Sequence, residues 1–191
     1  MPPIEPRLCV LTGIPGSGKT TIAQILRPHL PPRWTVVRGD DFIGVTQACY
    51  PGKPWEQIRR LHAYFAGWSA GWYLWEGRGV LLEGHFRDGE EIDRLRRGMR
   101  DMSPRSPDPT IVVLDGDVAE IARRLARNPD REREWKEPER EGNFRKWLEI
   151  SALESSVGGR LIDTRGLTEE EVARKVVEAF GLPSEKSSRL A

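Results

Sequence analysis

Short apolar runs alternate along the chain with longer stretches in which apolar residues recur every three or four positions. Leu8–Leu11, Trp34–Val37, Val80–Phe86, Thr110–Leu114 and Arg160–Thr164 are the runs. Their length and near-continuous apolar character predict strands of a parallel sheet covered on both faces. The helical pattern covers Thr20 to about Leu30, Trp55 to about Trp75, Gly89–Asp101, Asp117–Arg127, Gly142 to about Val157 and Thr168–Phe180. In the first of these, Ile22, Ile25 and Leu26 share one side, and Pro28, Pro31 and Pro32 stop it. Capping boxes are spelled by Asp117 with Glu120 and by Thr168 with Glu171, and Gly181 and Pro183 close the last helix. Phe42–Pro54, with two glycines and two prolines, and Met102–Pro109, with three prolines, read as loops. Strand–helix alternation predicts one three-layer α/β domain over residues 1–183, with a five-stranded, mostly parallel sheet. Residues 2–6 form a Pro-rich lead-in and residues 184–191 a polar, frayed tail.

The connection after the first strand carries the chemistry. Gly13-Ile14-Pro15-Gly16-Ser17-Gly18-Lys19-Thr20 fits G-x-x-x-x-G-K-[ST] and stands between a strand and a helix, the context that the P-loop requires. Gly13, Gly16 and Gly18 permit positive φ and leave no Cβ in the way, so successive N–H groups of the loop, Ser17 among them, turn toward one anion. The helix N-terminus, at Thr20 and Thr21, adds unpaired donors and the positive end of a dipole. Lys19 supplies charge for the β- and γ-phosphates, and the Thr20 hydroxyl is a ligand for Mg²⁺. A bound nucleoside triphosphate with Mg²⁺ is the expectation, giving the sheet a P-loop NTPase fold.

Two further strands end in acids. The second runs into Arg38-Gly39-Asp40-Asp41-Phe42 and the third into Glu83-Gly84-His85-Phe86-Arg87. Ligands of open α/β sheets bind beyond the carboxyl ends of the strands, so these acids are expected near the γ-phosphate. Asp40 and Asp41 either face that phosphate or cap a turn. Glu83 is suited to accept a hydrogen bond from an Mg²⁺-bound water. His85 is either a satisfied turn histidine or a substrate contact. In the helix 55–75, Trp55, Ile58, Leu61, Phe65, Trp68, Trp72 and Trp75 make one stripe. A stripe of this kind reads first as core. The other reading is an aromatic wall for a ring, because four of the seven tryptophans lie there. Gly67 and Gly71 in that helix mark close packing.

An arginine-rich segment, Arg123 to Arg133, follows the fourth strand and is broken by Pro129. It is either an exposed, salt-bridged helix end or a lid, over about residues 127–141, that brings Arg127 and Arg131 to the transferring phosphoryl group. The basic helix before it, with Arg94, Arg96, Arg97 and Arg100, is a solvated face or a reach to substrate.

Composition narrows the class. A net charge of +1 gives no overall basic field for nucleic acid, though a local groove stays open. No apolar run approaches the roughly 18 residues of a membrane span. The N-terminus lacks the regions of a signal peptide, and two cysteines, Cys9 in a strand and Cys49 in a loop, make no disulfide framework. Reduced thiols in a cytoplasmic protein are expected.

These motifs resemble the small P-loop kinases that phosphorylate a hydroxyl on a non-protein acceptor: polynucleotide 5′-hydroxyl kinases, chloramphenicol phosphotransferase, the zeta toxins, and the uridine and nicotinamide riboside kinases. The resemblance covers most of residues 7–182, through the P-loop, Asp40-Asp41-Phe42, Arg127-Asn128-x-x-Arg131 and Ile162-Asp163-Thr164. It implies that Asp40 is the general base for the acceptor hydroxyl, that Arg127 and Arg131 contact ATP phosphates, and that Glu83 assists Mg²⁺. It also implies that the segment from Asp163 through Thr164 to Gly166 faces the adenine. Polynucleotide kinases carry an arginine shortly after the Asp pair; here Phe42-Ile43-Gly44-Val45 follows, which turns the expectation away from nucleic acid. The expected activity is transfer of the γ-phosphoryl of ATP to a hydroxyl of a small, nucleoside-like or antibiotic-like acceptor. Asp41, Phe42, His85, Arg87 and Trp72 are its candidate contacts. The alternatives are a polynucleotide 5′-hydroxyl kinase and a nucleotide switch with slow ATPase.

Overall fold

A computed structural model describes residues 6–116, 121 and 158–183. The described strands are β1 (Leu8–Gly13), β2 (Trp34–Arg38), β3 (Gly79–Glu83), β4 (Thr110–Asp115) and β5 (Arg160–Asp163). The described helices are α1 (Lys19–Leu26), α2 (Asp41–Cys49), α3 (Trp55–Trp75), α4 (Gly89–Met102) and α5 (Glu169–Phe180). All strand pairings are parallel, in the order β2-β3-β1-β4-β5. The sheet is therefore wholly parallel, within the expected mostly parallel architecture.

Both faces of the sheet are covered, as continuous apolar strands demand. Alternate residues of β1 divide between two cores: Leu8 and Val10 pack with α3 and α4, Cys9 and Leu11 with α1 and α5. Burial pushes the Cys9 thiol up to about 12, so it stays a packed thiol. α1 is shorter than expected, passing at Arg27 into a single 3-10 turn, Arg27–His29, that accommodates Pro28. α5 opens with the Thr168–Glu171 capping box and closes at Gly181 in the left-handed conformation, as expected.

Two expectations fail. Phe42–Pro54 is not all loop, because α2 occupies Asp41–Cys49 and makes Cys49 a helical residue. Its glycine and proline content misleads because Pro51, Gly52 and Pro54 all lie past the end. Inside, Asp41 sits in the first turn, and Thr46 bonds back to the Phe42 carbonyl at 2.6 Å. The second failure is the core face of α3. Trp68, Trp72 and Trp75 are 42%, 41% and 62% exposed, whereas Ala63, Ala66, Gly67, Ala70 and Gly71 are buried. The reason is the closeness of α4. A Cβ on Gly67 would collide with the Leu95 backbone, one on Gly98 with the Tyr64 carbonyl, and one on Gly71 would lie 2.6 Å from Met99 O. Backbones this near leave no room for indole rings, so the rings turn outward.

α3 and β3 are joined by only three residues, and α3 runs antiparallel to the sheet. Its N-terminal half lies beside the carboxyl ends of β2 and β3, and its C-terminal half at the opposite edge.

Candidate active site

The first turn of the site is a backbone construction. Gly13, Gly16 and Gly18 have φ of 145°, 82° and 93°. At Gly13 the need is also steric, since a Cβ would strike the Leu114 carbonyl and lie 2.9 Å from Ser17 Oγ. The loop closes with Ser17 N–H donating to Ile14 O at 3.1 Å. Lys19 Nζ, on a buried side chain, donates to the carbonyls of Gly13 and Ile14, each at 3.0 Å, and so curls back over the loop. No side chain caps α1, whose N-cap is Gly18, so its first-turn N–H groups face the loop's concavity. Ser17 Oγ is buried without a hydrogen-bond partner among the described residues. Uncapped donors, a buried orphan hydroxyl and an adjacent ammonium fit a bound phosphate chain. Thr21, half-buried, is the next residue of the helix.

Glu83 stands beside this loop because β3 lies between β1 and β2, with register partners Leu11 and Arg38. Thr20 Oγ1 donates to its carboxylate at 3.2–3.3 Å, and Arg38 Nε at 3.3 Å. Burial, then the Asp40 charge, raises the pKa of Glu83, against Lys19, Thr20 and Arg38. A buried carboxylate pressed by a second one, next to a hydroxyl ligand, is a donor set that suits a small divalent cation. Among the described residues no cluster of three or more His, Cys, Asp or Glu forms a protein cage. A hydroxyl, one acid and nucleotide phosphates match how Mg²⁺ is held in such sites.

Asp40 precedes α2 at the end of β2. Its Oδ1 accepts the His85 amide at 3.2 Å, joining the end of β2 to the segment after β3. Asp41 is exposed in the first turn of α2, with Arg38 at 3.8 Å, and Phe42 packs against the α3 side of the core. His85 is buried, and burial followed by Arg59, Lys19 and Arg87 holds its pKa well below 6.5. Its imidazole is therefore neutral.

A network absent from the expectations holds this segment. Arg59 and Glu91 are 3% and 1% exposed and pair through two bonds, Nε at 3.0 Å and Nη2 at 2.8 Å. Arg59 also donates to the His85 carbonyl. Glu91 accepts from Arg87 N–H at 2.8 Å and Arg87 Nε at 3.1 Å, and Glu56 takes Arg87 Nη2 at 2.6 Å. Arg87, a candidate substrate contact, is thus engaged by two acids. The available sequence signals were the cap spacing Asp88-x-x-Glu91, realised as a 2.9 Å bond, and Arg59 and His62 one turn apart among apolar positions.

The structure brings together the P-loop, Thr20, Glu83, Asp40 and His85. It does not bring Trp72, which lies ten residues, about 15 Å, along α3 from His62 and toward the other edge of the sheet. Thr164 sits at the carboxyl edge beyond β5, its N–H and hydroxyl both bonded to Asp115 O, at 2.8 and 2.7 Å. Arg127, Arg131, the lid and the Asp117–Glu120 box lie outside the described residues.

A wholly parallel sheet with a glycine-rich phosphate loop at the carboxyl end of its central strand defines a P-loop nucleotide-binding α/β protein of kinase-like fold. The chain belongs to the AAA-domain family, which it matches over residues 9–146. No curated protein matches it. Among solved structures it is similar to a tunicamycin resistance protein from Deinococcus radiodurans, at 19% identity and TM-score 0.61, covering 93% of this chain and 97% of that one. A gluconokinase from Sinorhizobium meliloti 1021 is 16% identical, with TM-score 0.61 and 92% of each chain covered. Shikimate kinase from Acinetobacter baumannii is 18% identical, with TM-score 0.60, covering 91% of this chain and 92% of that one. At such identities the likeness establishes the fold. No described helix is long and apolar enough to cross a membrane.

Proposed function

We propose that this protein is a kinase that moves the γ-phosphoryl group of ATP to a hydroxyl of a small organic acceptor, nucleoside-like or antibiotic-like. The observation that carries the reading is the Asp40 carboxylate, held at the carboxyl edge by the His85 amide at 3.2 Å and separated from Thr20 by Glu83. Ligands of open α/β sheets bind at that edge, so an acid there is suited to face the γ-phosphate. Kinase structures among its structural neighbours support the class and leave the acceptor to chemistry.

In this reading the P-loop amides and Lys19 hold the β- and γ-phosphates, and the Thr20 hydroxyl with Glu83, directly or through water, holds Mg²⁺. The ion, when bound, neutralises charge on the phosphate oxygens. Asp40 orients the acceptor O–H with Oδ2 and takes its proton as the acceptor oxygen bonds to the γ-phosphorus. The bond from that phosphorus to the bridging oxygen breaks, and ADP leaves. Arg127 and Arg131 spread the charge of the transferring group, and Thr164 borders the adenine. Asp41 and Phe42 contribute to the acceptor side.

The test is transfer of labelled γ-phosphate from ATP·Mg²⁺ to a panel of nucleosides, nucleotide sugars, ribosylated cofactors, hydroxylated antibiotics and a 5′-hydroxyl oligonucleotide. Label should appear on one small molecule and fall about a hundredfold or more in Asp40→Asn. Free phosphate alone, released equally by both proteins, would replace the kinase with a nucleotide switch. Label on the oligonucleotide would make it a polynucleotide kinase.

A further inference from the structure

His62 has no part in the chemistry above, yet it is fully buried beneath it. It lies on α3, three residues after Arg59, and its Nε2 is 2.8 Å from the carbonyl of Gly39, the residue before Asp40. A carbonyl only accepts, so Nε2 carries the proton. Nδ1 is buried without a hydrogen-bond partner among the described residues, which fits the neutral Nε2–H tautomer. The ring stacks on Phe86 with centroids 5.7 Å apart and planes at 15°.

Phe86 is in turn fixed to the P-loop strand. Its N–H donates to Thr12 Oγ1 at 3.0 Å, and that hydroxyl donates to the Phe86 carbonyl at 3.2 Å. Thr12 directly precedes Gly13. Gly39 is closed in from the other sides, donating to Glu83 O at 2.7 Å, with Phe86 Cζ 3.2 Å from where its Cβ would be. A continuous path of packed groups thus runs from the phosphate loop through Thr12, Phe86 and His62 to the peptide that carries Asp40.

We propose that His62, through its Nε2–H bond to the Gly39 carbonyl, is a positioning residue that holds the Asp40 carboxylate in register with the P-loop. The role in transfer rests on the kinase reading; the role in holding Asp40 does not. Burial, then the Arg59 charge, lowers the pKa of His62 against the opposing pull of Asp40, Gly39 O and Glu91, so the donor tautomer persists at neutral pH. Misplacing a reacting group by about 1 Å costs on the order of a hundredfold in rate.

Three measurements on the whole chain test this. In the wild type, long-range ¹H–¹⁵N NMR should find the His62 proton on Nε2 from pH 8 to pH 6; a proton on Nδ1 would overturn the proposal. His62→Phe keeps a ring on Phe86 without the donor, and His62→Gln keeps a donor near Nε2 without the ring. His62→Phe should lower kcat roughly ten- to hundredfold with KM for ATP within about twofold, and His62→Gln should recover most of it. Equal losses in both would assign His62 to packing alone. The third readout needs no acceptor: exchange of the His85 amide, which is bonded to Asp40, should quicken about tenfold or more in His62→Phe and not in His62→Gln. Should His62→Phe fail to fold, Thr12→Val against Thr12→Ser asks the same of the other end of the path. Unchanged His85 exchange in the folded donor-free variants would sink the proposal, whereas the predicted quickening in His62→Phe with no transfer by the wild type would sink only the kinase reading.

Discussion

The two sides of the site are built differently. On the phosphate side, β1, the loop and α1 are contiguous, and the loop is closed by bonds spanning only a few residues, from Ser17 to Ile14 and from Lys19 to Gly13 and Ile14. On the side proposed for the acceptor, Asp40 is held by His85, 45 residues away, and that segment by Arg59 and Glu91, which are 32 residues apart. In the kinase reading, phosphate binding thus rests mainly on one contiguous segment, Gly13–Thr20, and acceptor positioning on four elements packed together. Damage to the first should cost function at little cost in stability, and damage to the second should cost both.

The largest effect expected from testing this contrast is on stability. Glu91→Ala leaves Arg59 buried and unpaired, which should cost about 3–5 kcal/mol in urea unfolding. Arg59→Met with Glu91→Leu should recover much of that loss, because two buried charges vanish together. The double variant should still transfer phosphoryl poorly, since the His85 carbonyl loses its donor. If Glu91→Ala unfolds like the wild type, the network is ornamental and the contrast fails.

Lys19→Ala addresses the other side. It should reduce transfer about a hundredfold, near 3 kcal/mol of barrier. Unfolding should move by less than about 1 kcal/mol, as the lysine's bonds to the Gly13 and Ile14 carbonyls lie within its own loop. Measuring the two variants by both assays crosses the comparison.

The smallest expected effect is a pH slope confined to the acceptor side. His62 and His85 are both held below 6.5, chiefly by burial and next by Arg59. The unfolded chain protonates them as pH falls through about 6.5 while the folded chain does not, so stability is complete above that value and declines below it. Glu83 acts in the opposite sense: its raised pKa lets the folded state keep a proton longer, and its contribution fades as pH rises through that value. Urea midpoints between pH 7 and pH 5 should therefore fall less steeply in His62→Gln than in the wild type. An equal or steeper slope would mean that His62 titrates freely in the fold.

Among the described residues the order of strands and of α1, α3, α4 and α5 was legible, because β1, β3 and β4 are nearly continuous apolar runs and the long helices keep their period. The helices expected over 117–127 and 142–157 lie largely outside those residues. α2 was not, because its glycine and flanking prolines look like loop until Thr46 is seen bonded within a helical turn. In α3 the period located the helix and its most apolar stripe misidentified the buried face. Hydrophobicity ranks tryptophan above glycine as core, but the helix spacing at Gly67, Gly71 and Gly98 is set by backbone contact, which excludes rings. Of the residues that the fold brings together, Thr20 was expected from the G-x-x-x-x-G-K-[ST] pattern, and Glu83 and Asp40 from strand ends, since a parallel sheet gathers its carboxyl ends at one edge.

By itself, then, the sequence determined the phosphate loop, the parallel sheet and the acids at its edge, all of which depend on local pattern and on the one-handed geometry of strand–helix–strand units. Tertiary structure alone decided which arginines, acids and histidines meet. Arg59 and His62 carry no local signature of their partners, and Glu91 carries one only of the near ones, Arg87 and Asp88. A buried charge or imidazole is tolerated only where a distant chain segment supplies its hydrogen bonds, and that complement exists only after the elements have packed.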